Sequence, residues 1–268
     1  MNHLLRSLAP ISDAGWDLVD QEARERLAGA LAARQLVDFS GPHGWDHSAT
    51  TLGRSEAVGG APCQGVDARQ RRVLPLVELR SDFGLSREEL RAGDRGAEDV
   101  DLSSLDEAAR QIARAENIAV FHGYGEAGIV GVTEASSRDP IALSEDYDAY
   151  PGHVAKAVEL LRRVGVGGPY GLALGTAGYT GVIESTEHGG YLVFDHLGKI
   201  LDGPIVWAPG VEGAVVLSLR GGDFLFESGQ DLSVGYDSHD ADAVRLYLEE
   251  SFSFRVVTPE AAVALTAG

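Results

Sequence analysis

The 268-residue chain has one cysteine, Cys63. No disulfide can form within it, which suits a reducing compartment, and only Cys63 of a second copy could pair with it. Basic residues are scarce as well: 22 Lys and Arg stand against 41 Asp and Glu, a formal net charge of -19. Nucleic-acid binding neutralises phosphates with Lys and Arg, so this composition argues against it. A convincing membrane span is also missing. The longest uncharged run, residues 164–183, is long enough to cross a bilayer but carries seven glycines and Pro169, poor material for a transmembrane helix. Residues 1–12 have one Arg and no extended apolar stretch, unlike a signal peptide. The expectation is a soluble, cytoplasmic chain with neither membrane nor nucleic acid as partner.

Catalytic signatures are absent too. No G-x-S-x-G elbow, P-loop or C-x-x-C pair occurs, and Cys63 has no neighbouring histidine to activate it. The run from Gly123 to Gly128 matches G-x-G-x-x-G, but a dinucleotide site needs a strand before it and a helix after it. Here a helical pattern precedes and no helical stripe follows, so a glycine-rich helix-to-strand connection is the better account. A stand-alone nucleotide-binding enzyme is the weakest alternative. His43 and His47 are four apart, yet Gly41, Pro42 and Gly44 oppose the helix that would join them on one metal. Asp237, Asp240 and Asp242 lack the glycine and distal Glu of a calcium loop. Neither a metal site nor a catalytic residue is expected.

What is present is ordinary globular material, 44% hydrophobic and 24% charged, in a length that allows one elaborate domain or two small ones. After Ser12, a fitting N-cap, Trp16, Val19, Ala23, Leu27 and Leu31 mark the apolar stripe of an amphipathic helix. Residues 48–72 are different in texture. Glycines and Pro62 punctuate them, large apolar residues are few, and Arg54, Arg69, Arg71 and Arg72 concentrate positive charge. Such a segment is a flexible loop, or an extended hairpin that finds its core and its carboxylate partners on another subunit. The run LPLVELRSDFGLS reads as a strand. A second helix is expected over 104–122, opened by a capping box of Ser104 and Glu107 and stopped at Gly123. A third is expected over 153–164. Beyond it short apolar runs between glycine-rich turns read as β, and SFSFRVV puts Phe252, Phe254 and Val256 on one face. The class is α+β.

Several blocks together resemble the encapsulin (linocin-like) shell proteins: RSLAPISDAGW, ARQLVDFSGPHGW, LPLVELRSDFGLS, DLSSLDEAARQIA, GGPYGLALGT, RGGDFLFESGQDLSVGY and DAVRLYLEESFSFRVVTPEA. They stand in family order across nearly the whole chain. The resemblance implies the tailed-phage major capsid protein fold. Residues 1–47 would be an N-terminal helical arm and the start of a peripheral domain, and 48–73 the extended hairpin. The peripheral domain would continue through 74–128, with an axial domain over 129–225 and the rest of the peripheral domain over 226–268. The function implied is structural. About sixty copies with icosahedral symmetry would enclose a cargo enzyme in the bacterial cytoplasm. That cargo would be a dye-decolorising peroxidase or a ferritin-like protein with a C-terminal targeting peptide. A phage capsid protein shares the fold and is the alternative. The acidic balance favours a shell that packages protein, since one that packages a genome benefits from a basic lumen.

The resemblance also implies sites. The targeting peptide would lie between the N-terminal helix and the peripheral domain, on Leu27, Leu31, Arg34, Asp38, Leu232 and Val234. Arg34 and Asp38 would be solvent-facing anchors of opposite sign. Glu187, His188, Gly189 and Gly190 would ring a five-fold pore. Arg54, Arg69, Arg71 and Arg72 would lie near neighbouring subunits. Some family members stack a flavin on an aromatic residue near the position of Glu88. This chain has Arg87, Glu88 and Glu89 there, so flavin is doubtful and no cofactor is expected.

Overall fold

The computed structural model of the chain describes residues 3–187 and 189–267. Ser12 caps the first helix as its position suggests: Oγ accepts the Gly15 N–H at 2.9 Å, and α1 runs over Asp13–Ala28. Trp16, Val19, Ala23 and Leu27 are its buried stripe. After Gly29 the chain makes one short helical turn, α2 (Ala33–Leu36), and enters strand β1 (Asp38–Ser40).

A hairpin follows, β2 (Ala49–Ala57) against β3 (Arg69–Pro75), with Arg54 opposite Arg72 and Ser55 opposite Arg71. Most of both strands is exposed, and Val58, Val66 and Val73 lie open. A two-stranded ribbon with no buried face is marginal alone, so the hairpin is an extended arm without a core of its own. Strand β4 (Val77–Ser86) leads into α3 (Arg87–Asp94), where Ser86 Oγ accepts the N–H groups of Glu88 and Glu89.

The second long helix, α4 (Ser103–Phe121), packs against α1 and β4. It begins one residue earlier than expected and without the capping box. Asp101 Oδ1 accepts the Ser103 N–H at 3.0 Å, Ser104 Oγ donates instead to the Gly84 carbonyl, and Glu107 is held by Arg110 and Gln111. Tertiary contact with β4 thus redirects the local signal. The helix stops as anticipated, with Gly123 at φ +97. Gly131 packs against that turn so closely that a Cβ there would sit 2.2 Å from Gly123 N. The G-x-G-x-x-G run is therefore a tight connection, closed by a bridge between Tyr124 and Ile129 and followed by the short helix α5 (Val132–Ala135).

Two sheets organise the rest. In the first, the long strand β11 (Ala243–Val256) pairs antiparallel with β4, with β9 (Phe224–Ser228) and with β10 (Ser233–His239), while β1 adds to β9 in parallel. Phe252 and Phe254 are buried, but so are Ser251 and Ser253, because protein covers both faces at that point. The second sheet has the order β5 (Ile141–Leu143), β12 (Ala262–Ala267), β8 (Ala214–Ser218), β6 (Tyr170–Leu174), β7 (Ile205–Trp207). Every residue of β6 and β8 is buried, as expected of strands covered on both faces. Helix α6 (Tyr150–Arg163) packs on this sheet with α8 (Val193–Leu201), and α7 (Thr176–Glu184) follows β6. The uncharged run 164–183 is thus a strand and most of a helix. Among the described residues no helix is long and apolar enough to cross a membrane.

Further expectations change. The third helix opens at Tyr150 rather than at 153, and the Gly123–Gly128 connection leads into α5 rather than a strand. Residues beyond 165 are not simply β-rich, since α7 and α8 lie among them; both are short, and two glycines inside α7 weaken its pattern. A division at 225/226 also fails to separate the sheets, because β12 returns to pair with β8 and β5.

Candidate functional site

A groove of about 420 Å³ opens between α1, the start of β10 and the N-terminal residues. Leu27, Leu31, Arg34, Leu232 and Val234 all line it. Leu27 and Val234 are buried and form its floor, while Leu31 and Leu232 are half-exposed along its wall. Leu31 lies beyond the end of α1, yet its N–H still bonds to the Leu27 carbonyl at 3.1 Å, which keeps the two side chains together. The N-terminal segment straps one end. The Leu4 carbonyl accepts the Tyr236 N–H of β10 at 2.9 Å, and Arg6 stacks over Trp16 while bonding Asp20. Apolar floor, charged rim and one neighbouring sheet edge suit a short extended peptide.

Two of the six expected lining residues depart from expectation. Asp38 is not in the groove. It belongs to β1, where its Oδ2 accepts the Gly222 N–H at 2.7 Å, because α1 ends ten residues earlier and the chain has turned away. Arg34 lines the groove but is no solvent-facing anchor. Its side chain is only 15% exposed, and it is bonded to three carboxylates: Nε to Glu116 at 2.7 Å, Nη1 to Asp231 and Nη2 to Glu250 at 2.7 Å. Glu116 and Glu250 are buried, and the second oxygen of each, Oε1, finds no donor. Burial opposes the Arg34 charge, but Glu116 and Glu250 outweigh it and the guanidinium pKa is raised. Burial, then the neighbouring Glu116 charge, pushes the Glu250 carboxyl well above its ordinary value, and burial also raises Glu116. Both shifts favour the neutral form of a buried carboxyl group. This cluster joins the segment after α1 to α4, the turn before β10, and β11. Nothing in the residue spacing pointed to it: Arg34, Glu116 and Glu250 are separated by 82 and 216 positions.

The second expected site is a tight loop between α7 and α8. Glu187 N–H bonds to Tyr191 O at 2.8 Å, Gly190 N–H bonds to Glu187 O at 2.9 Å, and Gly189 and Gly190 have φ of +114 and +81, values that favour glycine. The Glu187 carboxylate accepts from His196 Nδ1 at 2.8 Å, and Lys199 sits over the Tyr191 ring. The loop is therefore fastened to α8 at two points. His188 lies outside the described residues.

The four hairpin arginines are exposed. Arg69 Nε donates to Ser55 Oγ at 2.9 Å and Arg72 lies 3.9 Å from Glu56. Arg54 and Arg71 have no partner among the described residues, and Cys63, near the hairpin tip, is exposed. His47 bonds to Glu227 and His43 to Ser40, and no three ligating residues gather around a metal position among the described residues. Glu88 is exposed and paired with Arg95 and Arg91, which pull its pKa down.

An acidic chain with an extended hairpin, a long α4 beside a strand-rich layer and a second sheet topped by helices has the architecture of the shell-building capsid proteins. It is similar to the virus-like particle from Pyrococcus furiosus, with a TM-score of 0.64 at 17% identity, covering 92% of this chain and 98% of that one. It is also similar to the capsid of the Myoviridae phage XM1, with a TM-score of 0.55 at 12% identity over 90% and 92% of the two chains. Within that class the chain belongs to the encapsulin shell-protein family: residues 1–253 match the family described as encapsulating protein for peroxidase. It is 49% identical to the type 1 encapsulin shell protein of Rhodospirillum rubrum, over 99% of this chain and 96% of that one. As a member, it is a shell protein that forms a capsid-like particle.

Proposed function

We propose that about sixty copies of this chain close into an icosahedral shell in the cytoplasm. The shell holds a cargo enzyme, a dye-decolorising peroxidase or a ferritin-like protein, by a C-terminal targeting peptide. The chain itself supplies walls and docking surface and carries no catalysis of its own. The observation that supports this reading is the groove on a family member's N-terminal helix. Four apolar residues from two distant parts of the chain converge there, two forming a floor and two left half-exposed. An apolar groove with a polar rim is the surface that accepts alternate side chains of an extended peptide. The sheet carrying β11 would be the peripheral part and the helix-topped sheet the axial part, with the loop at Glu187, Gly189 and Gly190 at the five-fold axis. No flavin takes part.

The test is co-expression with a fluorescent reporter that ends in a candidate peptide from a neighbouring cargo gene. Leu31→Asp and Leu232→Asp place a charge on the half-exposed wall without removing the floor. Assembled shells that exclude the reporter are the expected result. Shells of both variants loaded at the wild-type level would move the docking site elsewhere.

A further inference from the structure

The root of the hairpin holds positive charge that the chain does not balance. A cavity of about 580 Å³ opens there, between β2, β3, the connection after α4 and the end of β11. Arg54, Arg72 and Arg255 line it, and no Asp or Glu does. Arg54 and Arg255 have no hydrogen bond or ion pair among the described residues, and Arg72 has only Glu56, at 3.9 Å. Arg255 Nε is moreover buried without an acceptor, a desolvation that nothing within the chain repays.

The register of the hairpin adds to the imbalance. The strands pair regularly from Ala49 opposite Pro75 to Thr51 opposite Val73. Continued unchanged, that ladder would set Arg54 opposite Gln70. A bulge at Leu52 and Gly53, with Gly53 at φ +66, sets Arg54 opposite Arg72 instead. Like charges directly across a ladder destabilise it, and bulges serve to re-aim side chains. Two guanidiniums are thus brought together beside a third, an arrangement that an anion would balance.

The walls indicate what carries that anion. Leu52 and Leu74 are half-buried, while Val130 and Val257 are 49% and 51% exposed. A small inorganic anion would meet the arginines and leave this apolar surface in water. A protein segment meets both. The chain has 41 Asp and Glu against 22 Lys and Arg, and the particle brings further copies of it alongside. We propose that this cavity is an assembly socket, in which a carboxylate flanked by apolar side chains of a neighbouring copy seats between Arg54, Arg72 and Arg255. Arg255 belongs to β11, outside the hairpin from which subunit contacts are expected, so the neighbour's carboxylate ties the hairpin root to the main sheet. In the free chain the Arg54–Arg72 repulsion loosens that root, and the incoming carboxylate turns repulsion into attraction.

The experiment places p-benzoylphenylalanine at Val130 of the full chain, on the exposed wall, and irradiates purified shells. Covalent dimers on denaturing gels are expected, with Asp or Glu in the second copy within two residues of the attachment. Val257 is the alternative position if Val130 shells do not form. Attachment only within one chain, or to a segment without Asp or Glu, overturns the proposal. The urea midpoint of shell dissociation, followed by light scattering, supplies the sign. With no anion in the socket, Arg54→Gln merely relieves repulsion and leaves the midpoint unchanged or raised. With the neighbour's carboxylate in place it should lower the midpoint. Arg255→Gln should lower it too, and the double variant by less than the sum, because both guanidiniums act on one group. Arg54→Gln with Arg72→Gln, both on the exposed hairpin, gives the same cycle if Arg255→Gln does not fold. A midpoint unchanged or raised by Arg54→Gln, or strictly additive shifts, overturns the socket as well.

Discussion

Glu116, near the end of α4, and Glu250, in the middle of β11, turn their carboxyl groups toward each other with Arg34 bonded to both. One guanidinium is shared between two buried carboxyl groups and Asp231, and burial favours protonation of the pair, Glu250 most strongly. The consequence for stability has a definite sign. The folded pKa of Glu250 lies above the ordinary 4.5, so its contribution is complete below about 4.5 and is lost as pH rises through the raised value. Glu250→Gln keeps an acceptor for Arg34 and adds a permanent donor to Glu116. The melting temperature of the wild-type shell should fall more steeply than that of Glu250→Gln as pH is raised from 4.5 into the alkaline range. Parallel curves from scanning calorimetry at stepped pH would remove the protonated Glu250 from the account.

Arg34→Ala should damage the fold before it affects docking. Removing the guanidinium strands Glu116 and Glu250 in the interior, and breaking a buried pair in this way costs about 3–5 kcal/mol. The expected outcome is a large drop in the denaturation midpoint and a low yield of shells. Asp38→Ala loses one hydrogen bond to the Gly222 N–H, a change of about 0.5–1.5 kcal/mol, and should leave both assembly and reporter loading unchanged. A well-assembled, stable Arg34→Ala shell that fails only in loading would make Arg34 a direct peptide anchor after all.

The difference between these two residues shows where sequence reasoning worked and where it stopped. Helical periodicity identified Trp16, Val19, Ala23 and Leu27 because the 3.6-residue repeat is a local property. Leu232, just before β10, and Val234 within it both line the groove. Leu31 reached the groove although the helix had already ended, since the Leu27 carbonyl still holds its N–H. Asp38 lies outside the groove because α1 ends at Ala28 and the chain turns away into β1. The Arg34 cluster depends on partners from α4 and β11, and no local pattern carries information over such separations. The capping signal at Ser104 failed likewise, because the Gly84 carbonyl from β4 competes for its hydroxyl.

The hairpin should be needed for assembly and dispensable for the fold of the remaining chain. Its strands bury little, Val58, Val66 and Val73 lie open, and Arg54 and Arg71 are unpaired among the described residues. Exposed ion pairs contribute about 0–1 kcal/mol each, so apolar burial against neighbours supplies most of the gain. Replacing residues 58–68 with a two-glycine turn should give a folded chain that elutes as small species in size-exclusion chromatography. Neutralising Arg54 and Arg71 to Gln should weaken assembly less, visible as dissociation at lower denaturant. Full shells from the shortened chain would assign the contacts to other surfaces.

The loop at Glu187, Gly189 and Gly190 is held to α8 by two clamps, the Glu187–His196 hydrogen bond and the Lys199 ammonium 4.7 Å from the Tyr191 ring centroid. Two consecutive glycines at positive φ give the loop little stiffness of its own, so the clamps determine how often it opens. Losing the His196 hydrogen bond costs about 0.5–1.5 kcal/mol locally, which raises the open population about 2- to 13-fold. His196→Ala should therefore accelerate hydrogen exchange across residues 186–192 by that factor while leaving β6 and β8 protected. If five such loops ring an opening, an enclosed reporter enzyme limited by substrate entry should also turn over faster in His196→Ala shells. Glu187→Gln keeps an acceptor for His196 Nδ1 and removes the charge, so neutral substrates should enter as in wild type while cationic ones slow. Faster exchange with unchanged entry of both substrate types would confine the clamp to loop stability and place the opening elsewhere in the wall.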